Sequence, residues 1–472
     1  MKKTDIFLNV LLVILIISAA VLTIRVWAFD TGMLSKEAAL PRFITRLENG
    51  LKYGVFQDAR ESTPENAIIE SSLIYPQDMV FATGEGMRIM PPFDSGLRET
   101  VNGEASSLIG VVMSSEDCTV VPIDERELRD ALAFNSVCFS YGYALDFSLY
   151  SNYLGLISDS FSGYGSFDLC AIAQRGDRIF VYFFTKDTRE GIGASIPADG
   201  RVTAMYAALT GDTGSFVPCS FGYELADGLS FALPPYCVLP EGSVSAPKLS
   251  SFPYISPVEE GQEKIRKAEK LLKPFGFHSS SGRWYEDAQA LSYISDYATL
   301  SLTYDGFFEY KALSAERGFT PADAADSAVL DQSRIISTAA SLISSVYASA
   351  LSDNAVSATY AGMERNPQTN TVRVYFDYFL GGVALYKNGA PKGYGAVIDI
   401  NDRGEIVYAK LISDVLHEQT GRAGAISRDL LFYTVEIGGY EDISSIRFLY
   451  SQSEDKTEYI AGYSVQTGGG GE

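Results

Sequence analysis

The sequence predicts an α+β protein: an N-terminal single transmembrane helix followed by an extracytoplasmic body in which antiparallel sheets carry packed helices. Three observations predict it. Residues 6–24 (IFLNVLLVILIISAAVLTI) carry no charge. The remainder of the 472-residue chain is rich in strand-forming aromatics, its 29 Tyr and 27 Phe set among Val, Ile and Thr and broken by Gly-containing turns. In the second half a helical apolar period gives way twice to strand-like runs joined by short turns. With 46% hydrophobic and only 20% charged residues, the chain has material for two or three cores, and disorder is not its default.

From the N-terminus, the uncharged run spans roughly 28 Å as a helix, close to the bilayer core. Lys2 and Lys3 precede it, so the positive-inside bias puts that end in the cytoplasm and everything after about Trp27 outside. A signal peptide cleaved near Val26-Trp27-Ala28 is the rival; the apolar core exceeds the usual length of about 7–15 residues and ends in Arg25 and Trp27, which favours a retained anchor. Ser18, Ala19 and Ala20 form a small-residue patch and Asn9 offers a hydrogen bond. These four are the candidate contacts to another transmembrane helix, against the alternative that the patch merely faces lipid.

The expected organisation is a cytoplasmic tip and anchor (1–28), a stalk (29–65), an N-terminal α+β domain (66–240), a Pro/Ser-rich linker (241–257), C-terminal α+β structure (258–467) and a flexible tail (468–472). Strand-like runs begin near Ile68–Tyr75, and two hairpins are expected, one turning at Gln174-Arg175-Gly176-Asp177 and one at Ala198-Asp199-Gly200 between GASI and VTAMYAAL. Asp124 is placed to cap a helix over Glu125–Phe134. Six prolines between Pro234 and Pro257 resist helix and interior strand alike. Beyond them come a helix over Val258–Lys273 and strands around Trp284–Ile294 and Thr299–Leu313, the latter turning at Asp305-Gly306. The clearest helix is Ala328–Leu351, with Ile336, Ala339, Ile343 and Val346 on one face; strands follow near 356–363, 371–385, 395–400 and 405–412.

Composition and residue types narrow the chemistry. The net charge of −22 opposes binding to nucleic acid or anionic lipid by the body and is read as solubility. Five Cys lie in the first half with no C-x-x-C arrangement; a disulfide such as Cys219 with Cys237 and buried free thiols both fit. His278 and His417, the two histidines, have no metal-ligand spacing. Asp94-Ser95-Gly96 and Asp212-Thr213-Gly214-Ser215 resemble the paired loops of pepsin-like aspartic proteases, yet the same residues make ordinary β-turns. Tyr375, Tyr378, Tyr386, Tyr394 and Tyr408 suggest a peptide- or glycan-binding face or simply strand residues. No catalytic, cofactor or metal residue is assigned.

Three stretches carry a resemblance: the short Lys-led anchor, RDALAFNSVCFSYGYALDFSLYSNYLG over Arg129–Gly155, and VYFDYFLGGVALY with YGAVIDINDRGEIVYAKLI farther on. Their layout resembles the YycH/YycI family, membrane-anchored regulators of the WalK/WalR two-component system of low-GC Gram-positive bacteria. The resemblance implies PepSY-like units in the C-terminal half and a non-enzymatic modulator. It also implies a partner, a sensor histidine kinase or a paralogous regulatory membrane protein. An extracytoplasmic aspartic-type hydrolase and a non-catalytic peptide- or glycan-binding envelope protein are the alternatives.

Overall fold

The computed structural model describes residues 73–467 apart from 84–85, 94–95, 157–160, 212, 228, 279, 322–330, 352–355 and 425–426, and only the backbone of 245 and 420–424. The anchor and stalk, with Asn9, Ser18, Ala19 and Ala20, lie outside the described residues, as do Asp94 and Asp212. All described residues belong to one compact unit, Ala67–Glu472. Among them no helix is long and apolar enough to cross a membrane.

The first half contains β1 (Asp78–Ala82), β2 (Arg88–Met90), α1 (Leu97–Ser114), β3 (Thr119–Asp124), α2 (Glu125–Leu132) and β4 (Ser136–Asp146). It continues with α3 (Phe147–Tyr153), β5 (Ser166–Arg175), β6 (Arg178–Thr185), β7 (Glu190–Pro197), α4 (Gly200–Gly211), β8 (Val217–Phe221) and β9 (Val238–Pro240). The strands form one antiparallel sheet of nine in the order β3-β7-β6-β5-β4-β1-β2-β8-β9. The β5–β6 hairpin turns where expected, with Arg175 opposite Arg178 and Gly176 at positive φ. Asp124 caps α2 by accepting from the Glu127 amide at 2.9 Å.

Two local expectations change. The run near Ile68–Tyr75 is irregular in its described part, and the first strand begins at Asp78. The second hairpin is a strand-to-helix turn: VTAMYAAL forms α4, not a strand. The Asp199 carboxylate accepts from the Val202 amide at 2.8 Å, and Val202, Tyr206 and Leu209 bury one helical face against α1.

The second half contains β10 (Ser245–Pro253), α5 (Gly261–Leu272), β11 (Gly282–Glu286), β12 (Ala290–Ser295), β13 (Ala298–Thr303), β14 (Phe307–Ala312), α6 (Gln332–Ala350) and β15 (Val356–Asn366). Then come β16 (Thr371–Leu380), β17 (Val383–Tyr386), β18 (Ala396–Ile400), β19 (Ile406–Ile412), β20 (Asp414–Gly424), α7 (Arg428–Ile437), β21 (Ile443–Gln452) and β22 (Glu458–Thr467). The main sheet runs β11-β12-β13-β14-β19-β18-β16-β17-β21-β22-β10-β20, with β15 on β16. Both expected helix-then-meander units are present, and β14 pairs with β19, so the two meanders fuse into one sheet. The β17–β21 pairing is parallel.

The Pro/Ser-rich stretch is not an irregular link: β10 lies within it, between β20 and β22. Its prolines are tolerated because Pro247 borders a register shift and Pro253 ends the strand, while Ala246 and Leu249 are fully buried. One apolar cluster reaches from Leu73 to Ala461 through both sheets.

Candidate functional site

The two sheets meet where the described chain begins. The Leu73 carbonyl accepts from the Tyr360 amide of β15 at 2.8 Å. Across the same seam Tyr143 of β4 meets Tyr360 edge-on at 5.1 Å, Tyr75 meets Phe379 of β16 at 6.1 Å, and Phe93 meets Phe448 of β21 at 4.8 Å. A cleft opens between these rings, with Asp78 on one wall and Asp377 and Arg447 on the other.

Glycines at an irregularity of β4 and in the β16–β17 turn make room for the two arginines. β4 shifts register against β5 between Ser140 and Leu145, and Gly142 sits in that shift. A Cβ on Gly142 would lie 2.4 Å from Arg447 Nη2 and 2.8 Å from Gln77 Oε1, so any larger residue would make these two flexible side-chain ends shift. Arg447 Nη1 lies 3.8 Å from Asp377 Oδ2. Arg98, in the first turn of α1 and 1% exposed, donates from Nη2 to the Gln77 carbonyl at 2.6 Å and stacks over the Phe93 ring. Gly382, at positive φ in the β16–β17 turn, brings the second half against its side chain.

The charges oppose one another without full hydrogen bonding. Burial raises the Asp78 carboxyl above the usual range, and Arg98, Lys186 and Arg447 pull it back; burial also raises Asp377, and Arg447 opposes it. Among the described residues, Arg98 Nε and Nη1 and the Tyr143 hydroxyl have no hydrogen-bond partner. The seam therefore joins the halves by ring packing and by hydrogen bonds to backbone carbonyls, the Arg447 guanidinium donating to the Gly142 carbonyl at 3.5 Å, with the charges set beside these contacts.

No family model matches the chain, and no curated protein matches it. The structure is similar to the crystal structure of YycH from Bacillus subtilis: the identity is 12%, the match covers 85% of this chain and 95% of that chain, and the TM-score is 0.54. The fold is YycH-like. An uncharacterized protein from Eubacterium rectale ATCC 33656 overlays with a TM-score of 0.31 and 10% identity, over 48% of this chain and 80% of that chain. The likeness to YycH is one of architecture, large antiparallel sheets with a few helices packed on them.

Within this YycH-like body the remaining candidate residues scatter. His278 lies beside the β11 end of the large sheet, where its carbonyl accepts from the Tyr293 hydroxyl at 2.8 Å, and His417 is exposed on β20 at the other end. The residue before Asp212 ends a helix, whereas a protease loop of the aspartic type follows a strand. All five cysteines are free, and burial pushes every thiol up, those of Cys138 and Cys237 to about 12. The tyrosines make no common face: Tyr378 is fully buried and meets Tyr347 edge-on, Tyr375 stacks on Tyr394 in a separate cluster, and Tyr386 is exposed. Among the described residues no group of three His, Cys, Asp or Glu could hold a metal ion.

A second charged cluster lies inside the large sheet. Lys387 Nζ is 2.6 and 2.5 Å from the two Asp414 oxygens, and the Tyr459 hydroxyl donates to Asp414 Oδ2 at 2.8 Å. Both side chains of the ion pair are 2% exposed. Burial pushes the Lys387 ammonium below its ordinary range, and Asp414 pulls it back. Gly306, at positive φ in the Asp305-Gly306 turn, covers the pair, since a Cβ there would lie 2.0 Å from Asp414 Oδ1.

Proposed function

We propose that this chain is a membrane-anchored extracytoplasmic regulator that modulates a cell-envelope sensor histidine kinase by protein–protein contact, directly or through a paralogous regulatory membrane protein. The observation that carries the reading is the YycH-like architecture over 95% of that neighbour's chain. The uncharged run at 6–24 would supply the anchor, with Asn9, Ser18, Ala19 and Ala20 toward a partner helix. The body, joined across the charged seam of Asp78, Asp377 and Arg447, would present the extracytoplasmic contact.

Crosslinking in cells with full-length protein, followed by mass spectrometry, tests the reading. It is compared with a form in which residues 1–26 are replaced by a cleavable export signal. Capture of a histidine kinase or of a second anchored regulator, lost or weakened without the native anchor, is expected. Capture of neither by either form would reject it.

A further inference from the structure

Helix α7 carries two apolar faces where folding uses one. Leu431 and Val435 are buried against Phe231 and Leu239 of the first half and against Ile443 and Ile446 of β21. The opposite side presents Leu430, Tyr433 and Ile437, which are 50%, 60% and 68% exposed and share a face by their spacing of three and four residues. Tyr440, 49% exposed, extends the stripe: its ring lies so close to the helix end that a Cβ on Gly438 would be 2.4 Å from it. The stripe is held in place, because the Glu441 carbonyl accepts from the Ala232 amide at 3.0 Å and the Ile443 amide donates back to the Ala232 carbonyl at 3.3 Å.

The rim of this stripe has one sign. Asp429 and Glu436 stand four residues before and three after Tyr433, hence beside it on the helix, and Glu441 and Asp442 are exposed in the following loop. Arg428 is half-buried and donates to Ser220 Oγ at 3.3 Å. Isologous pairing of two copies would set these carboxylates against their own kind, and an anionic leaflet would be repelled. We infer that α7 and its loop form a docking surface for an amphipathic helix of a partner protein, one whose apolar stripe is flanked by Lys or Arg. Because the inner face of α7 touches both halves, an occupant would bear on the relation between the sheets. This deepens the regulatory reading and rests on it for the class of partner.

The test uses full-length protein in detergent and two synthetic helical peptides with the same leucine stripe, one rimmed with lysine and one with glutamate, followed by fluorescence anisotropy. The lysine peptide is expected to bind at least about tenfold more tightly. Tyr433→Asp or Ile437→Lys should abolish that binding, and both positions are exposed, so the fold is not at stake. Asp429→Lys with Glu436→Lys should move the preference toward the glutamate peptide. Equal binding of the two peptides, binding by neither, or binding indifferent to these substitutions overturns the proposal. A concentration-dependent dimer lost in Ile437→Lys, or an association with phosphatidylglycerol vesicles that Ile437→Lys weakens, would overturn it in favour of a second copy or a membrane. Kinase capture retained by Ile437→Lys would overturn this surface alone, whereas peptide discrimination without any kinase capture would leave the surface and remove the regulatory reading.

Discussion

The buried pair Lys387–Asp414 and the charged seam between the sheets place the same kinds of side chain in low dielectric and treat them differently. In the pair, both carboxylate oxygens face the ammonium and a tyrosine hydroxyl adds a third bond. In the seam, Arg447 stands 3.8 Å from Asp377, and two Arg98 nitrogens have no hydrogen-bond partner among the described residues. A satisfied cluster locks one geometry, whereas an incompletely satisfied one leaves the contact easier to rearrange. The difference teaches that charge fixes the interior of the large sheet, whereas the halves are held to each other by ring packing and backbone hydrogen bonds beside which charges stand partly satisfied.

Breaking the pair should have the largest effect. Asp414→Ala leaves Lys387 charged and buried, and unfolding in urea should show a loss of about 3–5 kcal/mol. Replacing both partners, Lys387→Met with Asp414→Leu, should recover most of that loss, since two apolar groups of similar size demand no desolvated charge. A double replacement as damaging as the single one would mean that the hydrogen bonds around the pair, and not the lone charge, set its weight.

The seam should respond less. Gly142→Ala drives a methyl into the ends of the Arg447 and Gln77 side chains and should cost about 1 kcal/mol, and the cost should shrink in an Arg447→Ala background. Additive effects in that double-mutant cycle would place Arg447 elsewhere in solution. The seam also predicts a pH dependence of opposite sign to a salt-bridged carboxylate. Burial raises Asp78 and Asp377, so the folded state holds their protons to a higher pH than the unfolded chain. Their contribution to unfolding free energy is therefore fully present below the ordinary carboxylate value of 3.8 and is lost as pH rises through the folded pKa values. Compared with an Asp78→Asn, Asp377→Asn variant, the native chain should gain relative stability as pH is lowered from 7 toward 4; a flat difference would show that the arginines cancel the burial effect.

Much of the architecture was legible because local signals agree with it. The Asp124 cap, the Gly176 and Gly306 turns and the apolar stripe of α6 each belong to one element and are settled by its own residues. The failures came where a local signal was outvoted or misread. Asp199 reads as a turn residue until it is seen to precede apolar positions at helical spacing, and the prolines of β10 argue against a strand that its neighbours on both sides nevertheless complete. The seam was invisible because Asp78, Arg98, Asp377 and Arg447 come from distant parts of the chain. A signal did exist: Asp377 in VYFDYFL and Arg447 in SIRFLY are single charges within otherwise apolar strand runs, and such a charge must find a partner.

The smallest effect should come from a pair that differs from Lys387–Asp414 mainly in its exposure. Lys456 donates to Asp305 Oδ1 at 2.8 Å on the turn whose Gly306 covers the buried pair, and the two side chains are 52% and 69% exposed. The same ammonium–carboxylate contact in water gains little, because solvent screens it and two long side chains lose freedom to make it. Lys456→Ala should change stability by no more than about 0.5 kcal/mol, and raising the salt concentration should erase even that. A loss comparable to that of Asp414→Ala would mean that Lys456 acts through the turn on Gly306, so that the outer pair holds the lid of the inner one and the two are a single network.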